Sequence, residues 1–376
     1  MKILFIAPRY HTNLHARIKA LKDSGNEVVF LSQYQGSAER YDAIFPKIIG
    51  FSKIYIFINK FRKIFFNSSD NDFWKLILAC PNIKILKKEI KDFSPDITIV
   101  KGMKSILSLV SLYYVKKYKI RSFFLIQTDD YNPKKIIRRF FLSFLKRFLK
   151  VEKIISEIED KNGKNNLFFS FIPFSIESPD FDKKYFLNNK INIVSVGKFV
   201  ERKGHLTILE AVNNIKNKYN ISLTIIGQKV DPIIFKKIER YINLNKLDDI
   251  VKVVYDINND EVFDIYKNSD LFVLPSYNEP ASYSILEAMS NKLPVISSDQ
   301  NGTKFMVRNG VNGFVFKSKN SSDLAKKIGD VIGDRSRLVD MGSNSFKIAK
   351  NEYSNNIFLE RFKLLIEASK NEKIYL

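Results

Sequence analysis

The chain has 376 residues, 45% of them hydrophobic, enough for two ordinary domains with full cores. A single cysteine, Cys80, excludes an intrachain disulfide framework, and with three histidines it leaves no metal-ligand cluster at recognisable spacing. The net charge of +22 is lopsided, with 35 Lys and Arg against 18 Asp and Glu in residues 1–190 and 27 against 22 in residues 191–376, so the first half is expected to face an anionic partner: nucleic acid, phospholipid or a phosphorylated substrate.

Strand-like apolar runs alternate with helix-length segments through both halves, the pattern of parallel α/β sheets with crossover helices. KILFIAP comes first. Its apolar stretch is too short for a signal peptide, and no later run reaches the length of a membrane span, so a cytoplasmic protein is expected. A helix near Leu14 to Ser24 follows, stopped by Gly25, then EVVFLS, DITIVKG (Asp96 to Gly102) and RSFFLIQT (Arg121 to Thr128). KIYIFINKFRKIFF, Lys53 to Phe66, is basic and aromatic with poor periodicity. PKKIIRRFFLSFLKRFLK, Pro133 to Lys150, carries seven Lys or Arg and no acid, and its apolar pairs recur every four residues, close to a helical face. Its Arg138, Arg139, Lys146 and Arg147 are read as facing an anionic membrane surface, with solvated lysines on a core-facing helix as the plain alternative.

Ile176 to Lys190 is polar and aperiodic, and the boundary between domains 1–178 and 179–354 is expected there. Beyond it come INIVSVG, a helix from about His205 to Lys218, SLTIIG, a helix from about Pro232 to Leu244, then VKVVY, DLFVLP, LPVISS and NGFVF. A helix over about 355–376 is expected to pack back on the first domain.

Two stretches of the second half carry chemistry. In GKFVERKG, Gly197 allows a tight turn after a strand, and Lys198, Arg202 and Lys203 bring cations beside helix-start N–H groups, a combination suited to a diphosphate. A solvated lysine-rich loop reads equally well from that stretch alone. In SYNEPASYSILEAMS, Glu279 and Glu287 lie at the end of one strand and the start of the next helix. Ser284 and Glu287 have the spacing of a capping box, and Glu279 reads as a loop carboxylate. Carboxylates so spaced also accept paired hydrogen bonds from vicinal diols, as on ribose or a hexose, while N–H groups around Tyr283 and Ser284 hold a phosphate.

GKFVERKGHLTILEA, LTIIG, then E-x7-E followed by LEAMSNKLPVISSDQNG and NGVNGFVF, in that order, resemble the retaining glycosyltransferases of family 4. The second half matches almost throughout, the first more loosely through MKILFIAP, SGNEVVFLS and PDITIV. The resemblance implies a GT-B fold, α/β, with two Rossmann-like domains facing each other across a cleft. It implies a nucleotide-sugar donor held mainly by the second domain and a glycan or lipid-linked acceptor held mainly by the first, without metal or other cofactor.

Carried over by residue, Lys203 meets the donor diphosphate, Lys198 stands where an arginine is usual, Glu287 accepts from ribose and Glu279 lies near the donor sugar. Several positions depart from the family pattern. HTNLH replaces the glycine-rich turn after the first strand, which makes Asn13 the replacement contact. Thr128 and Asp129 stand where a histidine-aspartate pair is common, which makes Asp129 a substitute catalytic group. Tyr255 replaces a glycine beside the base pocket, Ser282 a glycine of the donor loop, and Phe305 a glutamate.

The expected function is retaining sugar transfer at the cytoplasmic membrane face, in cell-surface polysaccharide synthesis. The rivals are a non-transferring enzyme of the same fold, a nucleotide-sugar epimerase or phosphorylase, and a nucleic-acid binder, which lacks any helix-turn-helix, zinc-finger, RRM or KH signature.

Overall fold

Runs such as ILFI and LFVL are apolar on both faces, which only strands covered by helices on both sides can bury. The structure, a computed structural model, describes residues 1–36, 39–66, 79–102, 105–127, 143–157 and 169–371, and divides into two compact units. One holds Met1–Phe174 and the chain from Phe358 onward, and the other holds Ser175–Ile357.

The first unit is built on a parallel sheet of β1 (Lys2–Ala7), β2 (Glu27–Ser32), β3 (Lys47–Ile48), β4 (Ile97–Lys101), β5 (Arg121–Ile126), β6 (Lys153–Ser156) and β7 (Phe169–Phe171), in the order β3-β2-β1-β4-β5-β6-β7. Alternate residues of β1 enter different cores: Ile3, Phe5 and Ala7 pack with α1 (His15–Asp23), while Leu4 and Ile6 pack with α3 (Ile83–Phe93) and α4 (Ile106–Lys117). The remaining described helix of that stretch, α2 (Lys53–Phe66), follows β3.

The second unit holds β8 (Ile191–Val196), β9 (Ile221–Gly227), β10 (Val251–Tyr255), β11 (Leu271–Leu274), β12 (Val295–Ser298) and β13 (Gly313–Phe316), in the order β10-β9-β8-β11-β12-β13. Between and after the strands run α5 (His205–Ile215), α6 (Pro232–Leu244), α7 (Asn259–Lys267), α8 (Ser284–Ser290), α9 (Ser321–Ile332) and α10 (Arg335–Glu352). Local signals set several starts. Asp231 accepts from the N–H groups of Ile233 and Ile234 ahead of Pro232, and Asn258 with Glu261 forms a reciprocal capping box on α7. The last helix, α11 (Asn355–Asn371), returns to the first unit, where Phe358, Phe362, Leu365 and Ile366 join the β1–α1 core.

Candidate active site at the strand ends of the second unit

In the second unit β8 is followed outward on one side by β9 and β10, and its neighbour β11 is followed on the other by β12 and β13. The loops leaving the carboxyl ends of β8 and β11 diverge at this switch point, where an open parallel sheet leaves room for a ligand. GKFVERKG is the first loop and SYNEPASY the second.

The first loop differs from the tight turn expected at Gly197. Glu201–Lys203 make one 3-10 turn, and α5 begins only after Gly204. Gly204 takes the left-handed backbone, φ 68°, and a Cβ there would stand 2.3 Å from the Pro275 carbonyl oxygen. Gly197 makes room for the Lys203 stem, whose Cδ would be 3.0 Å from a Cβ at 197. His205 donates from Nε2 to the Lys198 carbonyl at 3.1 Å, and burial pushes its pKa down to about 4, so the ring is neutral at pH 7. The Lys198 side chain is exposed.

Lys203 Nζ lies 2.7 Å from Glu279 Oε2, and the Arg202 guanidinium donates to the same oxygen. Glu279 is therefore no loose surface carboxylate: only 7% of its side chain is exposed, and it joins the two loops. Burial pushes the Lys203 ammonium below its ordinary value, while Glu279 pulls it back up. The Tyr277 N–H donates to the Arg202 carbonyl at 2.8 Å, a second tie between the loops.

The β11 loop is braced by the segment that leaves β12. Gly302 N–H donates to the Glu279 carbonyl at 2.9 Å, and Ser282 N–H donates to Thr303 Oγ1 at 3.1 Å. The hydroxyls of Ser282 and Ser284 lie 2.8 Å apart, and the Tyr283 hydroxyl donates to the Ser175 carbonyl at 2.8 Å. Phe305 sits just beyond, in the 3-10 turn Lys304–Met306.

The capping box expected at Ser284 and Glu287 does not form. α8 starts with Tyr283 at the cap position and no side-chain cap bond, and Glu287 Oε2 instead accepts from the Tyr266 hydroxyl of α7 at 3.3 Å. Burial pushes the Glu287 carboxyl up to about 7, against the lowering effect of that bond. At the end of β10, Tyr255 presents an exposed ring. Lys229 Nζ stands 3.5 Å from its centroid and 4.1 Å from that of Phe235, which meets Tyr255 edge-on. Lys229 carried no sequence signal apart from its place after SLTIIG.

In the first unit, Asn13 lies on the 3-10 turn Thr12–Leu14 after β1, with its Oδ1 buried and unpartnered. Asp129, Arg138 and Arg139 fall outside the described residues. Lys146 and Arg147 are exposed on the helical turn 143–147, where Phe144 and Phe148 stack outward and Leu145 and Leu149 turn inward. The sequence reading missed a buried pair: Arg17 of α1 donates to Glu157, which follows β6, and its guanidinium also lies over the Phe174 and Phe358 rings. It also missed Lys101 at the end of β4, whose enclosed Nζ is pushed down to about 8 by burial. Among the described residues no group of three or more His, Cys, Asp or Glu is placed to hold a metal, and no helix is long and apolar enough to cross a membrane.

Residues 177–348, nearly the whole second unit, match the family model of the glycosyl transferases group 1. The second unit is related to that family. Among curated proteins, this group 1 relative is 28% identical over 194 residues to the capsular polysaccharide biosynthesis glycosyltransferase CapM of Staphylococcus aureus, covering 50% of each chain. It is 27% identical over 195 residues to an N,N'-diacetylbacillosaminyl-diphospho-undecaprenol alpha-1,3-N-acetylgalactosaminyltransferase of Campylobacter jejuni, covering 51% of this chain and 49% of that one. The chain spans about half the length of the curated relatives it matches. Among solved structures, Anabaena HepE in complex with UDP superposes with a TM-score of 0.74 at 14% identity, over 98% of this chain and 100% of that one. A glycosyltransferase of Rickettsia africae gives 0.73 at 16%, over 98% and 99%. At such identities the likeness carries the fold, which is the GT-B pairing of two Rossmann-like units.

Proposed function

We propose that this chain is a nucleotide-sugar-dependent glycosyltransferase of the retaining type, acting in cell-surface polysaccharide synthesis on a glycan or lipid-linked acceptor at the cytoplasmic membrane face. The second unit takes the donor and the first serves the acceptor. The observation that carries the reading is the Arg202–Glu279–Lys203 cluster at the switch point, with Glu287 on the helix behind it. The capsular polysaccharide and the diphospho-undecaprenol acceptor named for the curated relatives, and the UDP bound in the HepE crystals, support the same class.

In this reading the donor's diphosphate takes Lys203 and Arg202 from Glu279, with Lys198 beside it. The freed Glu279 oxygen then accepts from the sugar hydroxyls. Glu287, as a carboxylate, accepts from the ribose diol, the Ser282–Ser284 loop lies along the phosphates, and the base stacks toward Tyr255 and Lys229. Asn13 and Asp129 remain proposed contributors to donor contact and catalysis. The acceptor hydroxyl oxygen bonds to the anomeric carbon on the face from which the nucleoside diphosphate departs. The anomeric carbon–oxygen bond breaks with its electron pair on the phosphate, and that phosphate takes the acceptor's proton. Fixed cations at the departing charge lower the barrier because they need no reorganisation as it develops.

A thermal-shift panel of UDP, GDP, ADP and their sugar conjugates tests this. One nucleotide family should raise the melting temperature of the native chain, and Lys203→Ala and Glu287→Ala should remove the shift. No shift with any of the six compounds, or a shift indifferent to both substitutions, would refute the reading.

A further inference from the structure

The helix α2 is amphipathic and turned inside out. Its apolar residues Ile54, Phe57, Ile58 and Phe61 fall at i, i+3, i+4 and i+7, one continuous face, which a helix docked on a protein core would bury. Here that face points away from the unit: Ile54 is 74% exposed, Phe57 70%, Ile58 58% and Phe61 52%. The opposite face makes the attachment. Ser52 caps the helix start by accepting from the Tyr55 N–H at 3.1 Å. The Tyr55 ring stacks on Phe51 at 5.1 Å, and Phe51 stacks on Tyr34 just after β2. The helix is thus held with its stripe outward. Phe45 and Ile48, in the segment leading to it, are exposed as well.

The charge on the helix selects among occupants. Its sequence carries Lys53, Lys60, Arg62 and Lys63 and no acid. A second copy of the chain docked on this face in a two-fold dimer would set Lys53 and Lys60 against an identical pair. An anionic lipid surface gives both an apolar phase for the exposed stripe and the counter-charge for its flanks. The helix, at about 1.5 Å per residue, is roughly 20 Å long, suited to lying in the interface and too short to cross it.

We propose that α2 is a membrane-docking helix, whose Ile54–Phe57–Ile58–Phe61 stripe enters the headgroup–acyl boundary of an anionic bilayer while Lys53 and Lys60 meet lipid phosphates. This names the docking element in the first unit, distinct from the basic segment that ends at Lys150. Only its purpose, bringing the unit to a membrane-held acceptor, rests on the proposed function.

The test is flotation of the full chain with vesicles of phosphatidylcholine alone and of phosphatidylcholine mixed with phosphatidylglycerol. The native chain should rise with the anionic vesicles and stay down with the neutral ones. Ile54→Ser, Phe57→Ser, Ile58→Ser and Phe61→Ser together should cut recovery by roughly tenfold or more while leaving the melting temperature unchanged, because each of these side chains is more than half exposed. Phe57→Ser alone should give a smaller loss, and Lys146→Gln with Arg147→Gln should leave most of the recovery intact. Recovery of the fourfold variant equal to that of the native chain overturns the proposal. So does absence of native recovery, or a dimer in solution abolished by the fourfold variant without vesicle binding. A nucleotide thermal shift on the same samples separates the two readings: flotation without any nucleotide response leaves docking standing and removes the transferase assignment.

Discussion

The two units carry the same kind of parallel sheet and use their opposite-charge pairs differently. In the second unit the charged groups of the two loops meet at the strand ends: Arg202 and Lys203 share one Glu279 oxygen, in contacts that a diphosphate can exchange. In the first unit a buried pair, Arg17 on the helix after β1 and Glu157 after β6, is sealed, with the guanidinium against the Phe174 and Phe358 rings. An exchangeable pair holds a ligand's place, whereas a sealed pair fixes the fold, since either partner alone is a buried charge that water cannot reach. Chemistry of the same type therefore reads as binding in one unit and as architecture in the other.

Breaking each pair separates the two roles. Arg17→Met should destabilise the chain by about 3–5 kcal/mol in urea unfolding, and adding Glu157→Leu should return most of that loss, as expected where one partner strands the other. Lys203→Ala should leave unfolding nearly unchanged but lower sugar transfer by about a hundredfold to a thousandfold, the usual scale for removing one fixed donor to a developing anion.

Glu287 sharpens the contrast through pH. Its folded pKa of about 7 lies above the ordinary 4.5, so the folded chain holds that proton more tightly than the unfolded chain does. The stabilisation is full below the unfolded value and is lost as pH rises through the folded one. Glu287→Gln should therefore melt higher than the native chain at pH 8, by about 2–4 °C for each kcal/mol gained, and level with it at pH 4. Donor binding should run the opposite way in the native chain, strengthening as pH rises through 7 and Glu287 becomes an acceptor. Tyr255→Ala should have the smallest effect, weakening nucleotide binding about fivefold through loss of a ring beside Lys229, with the melting temperature of the free chain unmoved.

Much of this was legible in the sequence where the signal is local. The ten strands read from the apolar runs all appear, because a parallel strand covered on both faces is largely apolar. GKFVERKG and the two glutamates were locatable because each motif directly follows such a strand. What failed depended on distant partners. Glu287 has the spacing of a capping box, but Tyr266, twenty-one residues earlier, takes its carboxylate. Arg17 and Glu157 are 140 residues apart, and nothing near either announces the other. The strands β3 and β7 are two and three residues long, below the length at which alternation can be counted. In α2 the periodic stripe was obscured by Tyr55 and Ile56 between its members, and its outward orientation depends on the stacking of Phe51, which no pattern within the helix encodes.

The central claim, that Lys203 exchanges Glu279 for the donor's diphosphate, has one direct measurement: calorimetric titration of Glu279→Gln with the nucleoside diphosphate that stabilises the native chain, set beside its turnover of the matching nucleotide sugar. Removing the competing charge should tighten diphosphate binding relative to the native chain while transfer falls, since the freed lysine gains and the sugar loses its acceptor. Weaker diphosphate binding in Glu279→Gln, or native turnover, would contradict it.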